Sequence, residues 1–352
     1  MNRRPISLAV GVACLAACGL AAAAGTAVMP SYLAAWLVLV SLPAGALPLL
    51  MGLELAGFAH EPMAASLRRL LALLPIAALL LVPILLNLGA LYGWGRGLPP
   101  RTALAAIWFT PAFFTLRSLF YLAVWLWLAE TFRRAPLDLA LEAAAARRRR
   151  AVIGMVLHAV LGTLAAEDWV HSVDPARASA AFGLLVMTIQ AGLALSAAAL
   201  IAARASSGRP LRDNRMAAAF TDPMLVLLAC WGFVHFVQYL VVWSANLPDE
   251  VRWYLDRGGT LARVGAVVAL ATGVLALLVL LPRRVVGRPA ALVAIAALVL
   301  VLHGAEMFWL VTPGFRGAFR FTWPDMLALV GVVGVAAGLS GRVERSLWRA
   351  HP

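Results

Sequence analysis

Ten stretches of predominantly apolar residues, each close to the roughly 20 that cross the hydrocarbon of a bilayer, follow one another along this 352-residue chain. They run Ile6–Val28, Tyr32–Phe58, Leu70–Trp94, Pro111–Phe132, Ala151–Val170, Ala181–Ala203, Met224–Ser244, Thr260–Leu281, Ala290–Val311 and Pro324–Leu339. Runs this long lack the alternation of a lipid-facing barrel strand, so the expected fold class is all-α: a polytopic integral membrane protein of about ten transmembrane helices. Composition closes the soluble alternative. Hydrophobic residues make up 63% of the chain, charged residues 13%, and the mean hydropathy is +0.90. A soluble chain carries roughly 45–50% apolar and about 25% charged residues. A secreted disulfide scaffold, a nucleic-acid-binding domain and a cytosolic enzyme are therefore excluded.

All 29 basic residues are arginine, which removes any lysine Schiff base or lysine general base. The net charge is +13. Twenty arginines fall at the N-terminus and on every second connection after it: Arg3, Arg4, Arg68, Arg69, Arg133, Arg134, Arg147 to Arg150, Arg204, Arg209, Arg212, Arg215, Arg283, Arg284, Arg288, Arg342, Arg345 and Arg349. Seven fall on the other side: Arg96, Arg101, Arg177, Arg252, Arg257, Arg316 and Arg320. The positive-inside bias then puts both termini in the cytoplasm and supports an even number of spans. The chain reads as a single membrane domain, 1–352. Four helices occupy 6–132, a low-complexity Ala/Arg hinge 133–150, six further helices 151–339, and a cytoplasmic tail 340–352.

Ionisable groups in a bilayer core cost roughly 2.5–3.5 kcal/mol on insertion scales, so they are functional candidates by default. The seventh span holds His235, Gln238 and Tyr239, on one helical face by their spacing. Counting from Met224, His235 lies roughly 16 Å deep at 1.5 Å per residue. The ninth span holds His303 and Glu306, three apart, and the fifth ends in Glu167 and Asp168. These groups form one polar patch if the fifth, seventh and ninth spans are neighbours. Such a patch serves a proton path or quinone headgroup, a haem b held by His235 and His303, or interhelical hydrogen bonding alone. Arg117 inside the fourth span needs a partner, for which Asp168 or Glu167 is suited. A second set, Glu54, Glu130, His158 and Asp222, lies toward the cytoplasm.

Trp94, Trp108, Trp169, Trp243, Trp253 and Trp323 fall at the expected outer interface, as an aromatic belt does, while Trp125, Trp127, Trp231 and Trp309 read as packing. Pro43 and Pro83 are expected to interrupt the second and third spans. Cys14, Cys18 and Cys230 form no Cys-x-x-Cys pair, so no metal site is expected. Arg3-Arg4 with Leu15-Ala16-Ala17-Cys18 also matches a lipoprotein signal, although the apolar run continues past Cys18 to Val28.

Two stretches carry a resemblance. One is Asp168-Trp169-Val170-His171-Ser172-Val173-Asp174-Pro175, followed by Phe182-Gly183. The other runs from Trp231 through Phe236, Gln238-Tyr239, Trp243, Asn246, Pro248 and Glu250 to Trp253-Tyr254. Together they resemble the second of the NrfD-like, quinone-binding membrane subunits of alternative complex III, a quinol:cytochrome c oxidoreductase of the respiratory chain. The family pattern reads D-W-x-x-S-x-x-P and F-x-Q-Y-x-x-x-W-x-x-N-x-P-x-E-x-x-W-Y. Agreement is weaker at Leu91-Tyr92-Gly93-Trp94 and around Arg117. The chain departs from the family at Asp222-Pro223-Met224 and around Phe58–Glu61.

The resemblance implies a pair of four-helix bundles plus two helices, in the bacterial inner membrane. It implies an accessory subunit that binds no redox centre of its own, in contact with quinone or quinol. Haem and iron–sulfur centres would sit in the partners: another NrfD-like membrane subunit, a periplasmic iron–sulfur subunit and c-type cytochromes. The residues carried over by position are Asp168, Trp169, Ser172, Pro175, Gln238, Tyr239, Trp243, Asn246, Pro248 and Glu250. His235, His303, Glu306 and Glu167 rest on the physical reading alone. The rival functions are a secondary transporter, a haem b protein and a purely structural subunit.

Overall fold

The computed structural model describes residues 4–58, 61–97, 103–133, 141–174, 179, 181–205, 214–258 and 289–349. Among them, nine helices are long and apolar enough to cross a membrane, and none of them is in a strand. The chain is an all-helical, multi-pass membrane protein. The expected eighth span, Thr260–Leu281, lies outside the described residues. Its flanks are informative. Arg257 donates to the Leu310 carbonyl, so residue 257 lies beside the end of the ninth span, and that span begins at Pro289 at the opposite end of the bundle.

The second span (Met29–Ala56) and the sixth (Phe182–Ala205) form the centre. Of their apolar windows, 78% and 72% are buried, against 11% for the first span (Arg4–Ala23). The central pair crosses closely at Gly45, where a Cβ would collide with the Gln190 backbone. Small residues at such crossings let helix backbones approach in lipid, where no hydrophobic force pulls helices together. The other faces carry exposed apolar side chains, among them Leu20, Leu86, Phe233 and Val301. In water these would form aggregating patches; in lipid they are the solvated coat.

The first span packs chiefly against the tenth (Trp323–Arg349). Leu8 meets Gly338, Gly11 meets Gly334 and Leu15 meets Gly331, an antiparallel register. The start of the first helix and the end of the tenth therefore lie at one end of the bundle. Cys18 is buried inside the first helix.

Two expectations are corrected. Pro43 and Pro48 sit inside an unbroken second helix. The third span is the broken one, in pieces Pro62–Leu70, Leu71–Leu73, Leu74–Leu80, Val82–Leu86 and Leu88–Leu91. Pro75 and Pro83 remove two amide donors, and the chain tightens to shorter-range bonds such as Leu81 to Ala78 and Ile84 to Leu81. The carbonyls this frees are taken up by the second span. Tyr32 Oη donates to Leu80 O and Trp36 Nε1 to Ala77 O, both at 2.8 Å. The Ala/Arg run is the second correction. It is no hinge, because residues 141–150 form the first turns of the fifth span (Leu141–Trp169). Arg147 pairs with Glu54 and Arg148 donates to Leu55 O, tying those turns to the end of the second span.

Candidate functional site

The predicted polar patch is two separate centres. The fifth span packs on the second and sixth, and the ninth packs on another side of the same two. Asp168 and Glu306 therefore belong to different clusters.

Asp168 is fully buried at the end of the fifth span. The Arg117 guanidinium grips it with Nε to Oδ2 and Nη2 to Oδ1, both 2.8 Å. Tyr121 Oη donates to Oδ2 at 2.8 Å and Trp108 Nε1 to Oδ1 at 2.9 Å. Arg117 Nη1 reaches the Trp108 carbonyl at 2.7 Å, and its guanidinium lies 4.1 Å from the centre of the Trp108 ring. The partner expected for Arg117 is thus Asp168. Four donated hydrogen bonds fill the carboxylate, and the bidentate fork fixes its orientation. Beside it, Trp169 Nε1 donates to Ser118 Oγ at 2.9 Å, and Ser172 Oγ to the Asp168 carbonyl at 2.5 Å. The Asp-Trp-x-x-Ser motif is a seam between the fourth and fifth spans. Trp169 leaves the predicted belt for the core, packed against Trp36, Tyr121 and Trp125. Glu167 faces away and pairs with His171 at 2.6 Å.

The second centre is Glu306. His235 Nε2 lies 2.5 Å from Oε1 and His303 Nδ1 3.0 Å from Oε2. Trp231 Nε1 donates to the same carboxylate at 2.9 Å. Only the seventh span (Asn214–Ala245) and the ninth (Pro289–Val311) supply these groups, while the sixth supplies space. A Cβ at Gly192 would lie 2.6 Å from His303 Nε2, so the imidazole rests against bare backbone. One carboxylate held between two imidazoles, with an indole fixing its orientation, is a unit that can share and pass protons. Its burial makes the pairing obligatory, because an unpaired charge here would be strongly destabilising.

The longer motif wraps this centre. Asn246 ends the seventh span with φ of 49°, a left-handed conformation that Asn tolerates better than most residues. Pro248 opens the short helix Pro248–Gly258, on which Glu250 is half-buried. That helix carries Tyr254 back onto Tyr239 and Trp253 onto Trp309, whose ring also neighbours His235. Arg257 holds the arrangement, with its guanidinium 3.6 Å from the centre of the Trp253 ring and Nη2 on Leu310 O at 2.9 Å. Gln238 is buried on the same helix as His235, while Trp243 is exposed as a belt residue is. Pro175 lies outside the described residues.

Arg257 and Trp231 are the functional side chains that sequence reasoning missed. Arg257 counts there as a loop arginine and Trp231 as packing, although Trp231 opens the second motif stretch and stands four residues before His235. Trp127, also read as packing, is exposed, and Trp108 and Trp253 leave the predicted belt to make specific contacts. A haem b between His235 and His303 does not fit. The two rings share Glu306, and the remaining nitrogen of His303 is closed off by Gly192. No family model matches this sequence, and no curated protein matches it either.

Proposed function

We propose that the chain is an accessory membrane subunit of a quinol-oxidising respiratory complex of the alternative complex III type, in a bacterial inner membrane. The Glu306–His235–His303 unit would be its proton-exchanging centre. The observation that carries this reading is the buried carboxylate shared by two imidazoles. It lies five residues before the end of the ninth span, about 8 Å at 1.5 Å per residue. Arginine distribution assigns that end to the outer side, where a quinol oxidised for a periplasmic acceptor releases its protons. The motif supports it from the sequence side: Gln238 and Tyr239 share the seventh span with His235, and Trp253 packs on Trp309, which neighbours the His235 ring. Quinone contact falls to Gln238, Tyr239 and His235. Asp168, filled by its own donors, serves the bundle instead. The iron–sulfur protein and c-type cytochromes would receive the electrons, and another NrfD-like subunit would sit beside this chain, which is expected to hold no redox centre.

The broken third span is the feature that favours a transporter, since transporters use interrupted helices at the midplane. Its freed carbonyls at Ala77 and Leu80 are, however, already bound by Trp36 and Tyr32.

The test is Glu306→Gln in the native membrane. Quinol-dependent turnover should fall at least tenfold, given the roughly 10²–10⁴ that a positioned acid or base contributes. The amount of subunit, and the partners recovered through a C-terminal tag, should stay unchanged. Wild-type turnover in that variant removes the centre from the reaction. Recovery of the wild-type chain with no redox subunits removes the respiratory reading itself.

A further inference from the structure

At the arginine-rich end of the bundle, away from both centres, the second, third, fourth and fifth spans enclose a cavity of about 130 Å³. It is lined by Leu50, Glu54, Arg68, Thr131, Phe132, Arg147 and Arg150. We propose that this cavity binds the phosphate of an anionic phospholipid, whose acyl chains lie along the exposed apolar face of the fifth span.

Charge comes first. Three guanidinium groups line the cavity against one carboxylate, Glu54, which Arg147 already grips through two nitrogens. Arg150, one turn further on the same face, is exposed and makes no hydrogen bond or ion pair among the described residues. Arg68 is buried in the wall, its Nε on the Phe132 carbonyl at 3.3 Å. Against the single Glu54 carboxylate, three arginines leave the hollow with an excess of positive charge, which favours a further anion. Guanidinium forks suit phosphate oxygens.

Size and setting come next. A cavity of this volume holds several waters and so admits a phosphate group. Leu50 and Phe132 supply the apolar part of the lining. Beyond Arg150 the same helix exposes Ile153, Val156 and Val160, directed outward into hydrocarbon. A cation at the cavity mouth followed by a lipid-facing apolar strip fits a molecule with an anionic head and hydrocarbon tails. Basic pockets between spans recognise such headgroups.

The experiment uses the full chain in neutral detergent. Native mass spectrometry follows titration with phosphatidylglycerol, phosphatidylcholine and inorganic phosphate in separate runs. Wild-type protein should retain one phosphatidylglycerol at least fivefold more tightly than phosphatidylcholine. Arg150→Gln should weaken that retention roughly fivefold, the effect of one basic residue near an anionic headgroup. Arg149→Gln removes the same charge one residue away, outside the cavity, and should leave retention unchanged. Equal loss in the two variants means diffuse surface attraction and overturns the site. Equal retention of phosphatidylcholine overturns the headgroup selectivity. Uptake of inorganic phosphate as tight as the lipid, with the same dependence on Arg150, overturns the lipid in favour of a free anion.

Discussion

Asp168→Asn should destabilise the bundle rather than spare it. The side chain accepts four hydrogen bonds from Arg117, Tyr121 and Trp108, and it is wholly buried. Interhelical hydrogen bonds in membranes average about 0.6 kcal/mol each, so losing all four amounts to only about 2 kcal/mol. The larger consequence is Arg117, also buried, left with no opposite charge. Removing one partner of a buried pair costs about 3–5 kcal/mol. The expected loss is therefore about 3–5 kcal/mol, set by the stranded cation more than by the missing bonds. The assay is reversible unfolding of the purified chain in mixed micelles, read by tryptophan fluorescence. The double variant Arg117→Met with Asp168→Leu should recover most of the loss, because it strands no charge. A loss below about 1 kcal/mol in Asp168→Asn, or a double variant as unstable as the single one, would refute the argument.

Two further outcomes follow from the glycines. Gly192→Ala drives a methyl group into His303, so it should cost about 1–3 kcal/mol of stability and, on the proposed function, lower quinol turnover as Glu306→Gln does, measured in the same membranes. Gly334→Leu should part the first span from the tenth without touching either polar centre. A cysteine pair placed at Leu8 and Gly338 would then cross-link far more slowly than in the parent, while turnover of assembled complexes stays near normal.

The spans were legible in the sequence because each is an apolar run of bilayer length, and lipid leaves a chain few other solutions. Arg117 could be narrowed from sequence to Asp168 or Glu167 because a buried cation demands an anion at the same depth, and the structure chooses Asp168. The Glu306 centre was legible only by halves. Spacing put His303 with Glu306 and His235 with Gln238, but which spans touch depends on close crossings such as Gly45 on Gln190. For the same reason Glu167 and Asp168 could not be separated from Glu306 beforehand. Pro43 was misread because a proline breaks a helix less readily where its neighbours hold it, and Pro43 is buried in a helix whose apolar window is 78% buried. The Ala/Arg run was misread because low complexity resembles a linker, whereas alanine and arginine are both strong helix formers.

The antiparallel seam between the first and last helices also sets an order of events. Residue 11 enters the membrane long before residue 331 exists. At 5–20 residues per second, the about 320 residues between them take roughly 15–65 s to synthesise. For that interval the first helix has only lipid along the face that will later receive Gly331, Gly334 and Gly338. Assembly thus closes like a clasp, with helix one waiting for helix ten. A chain interrupted anywhere before the tenth helix is left open at the same place.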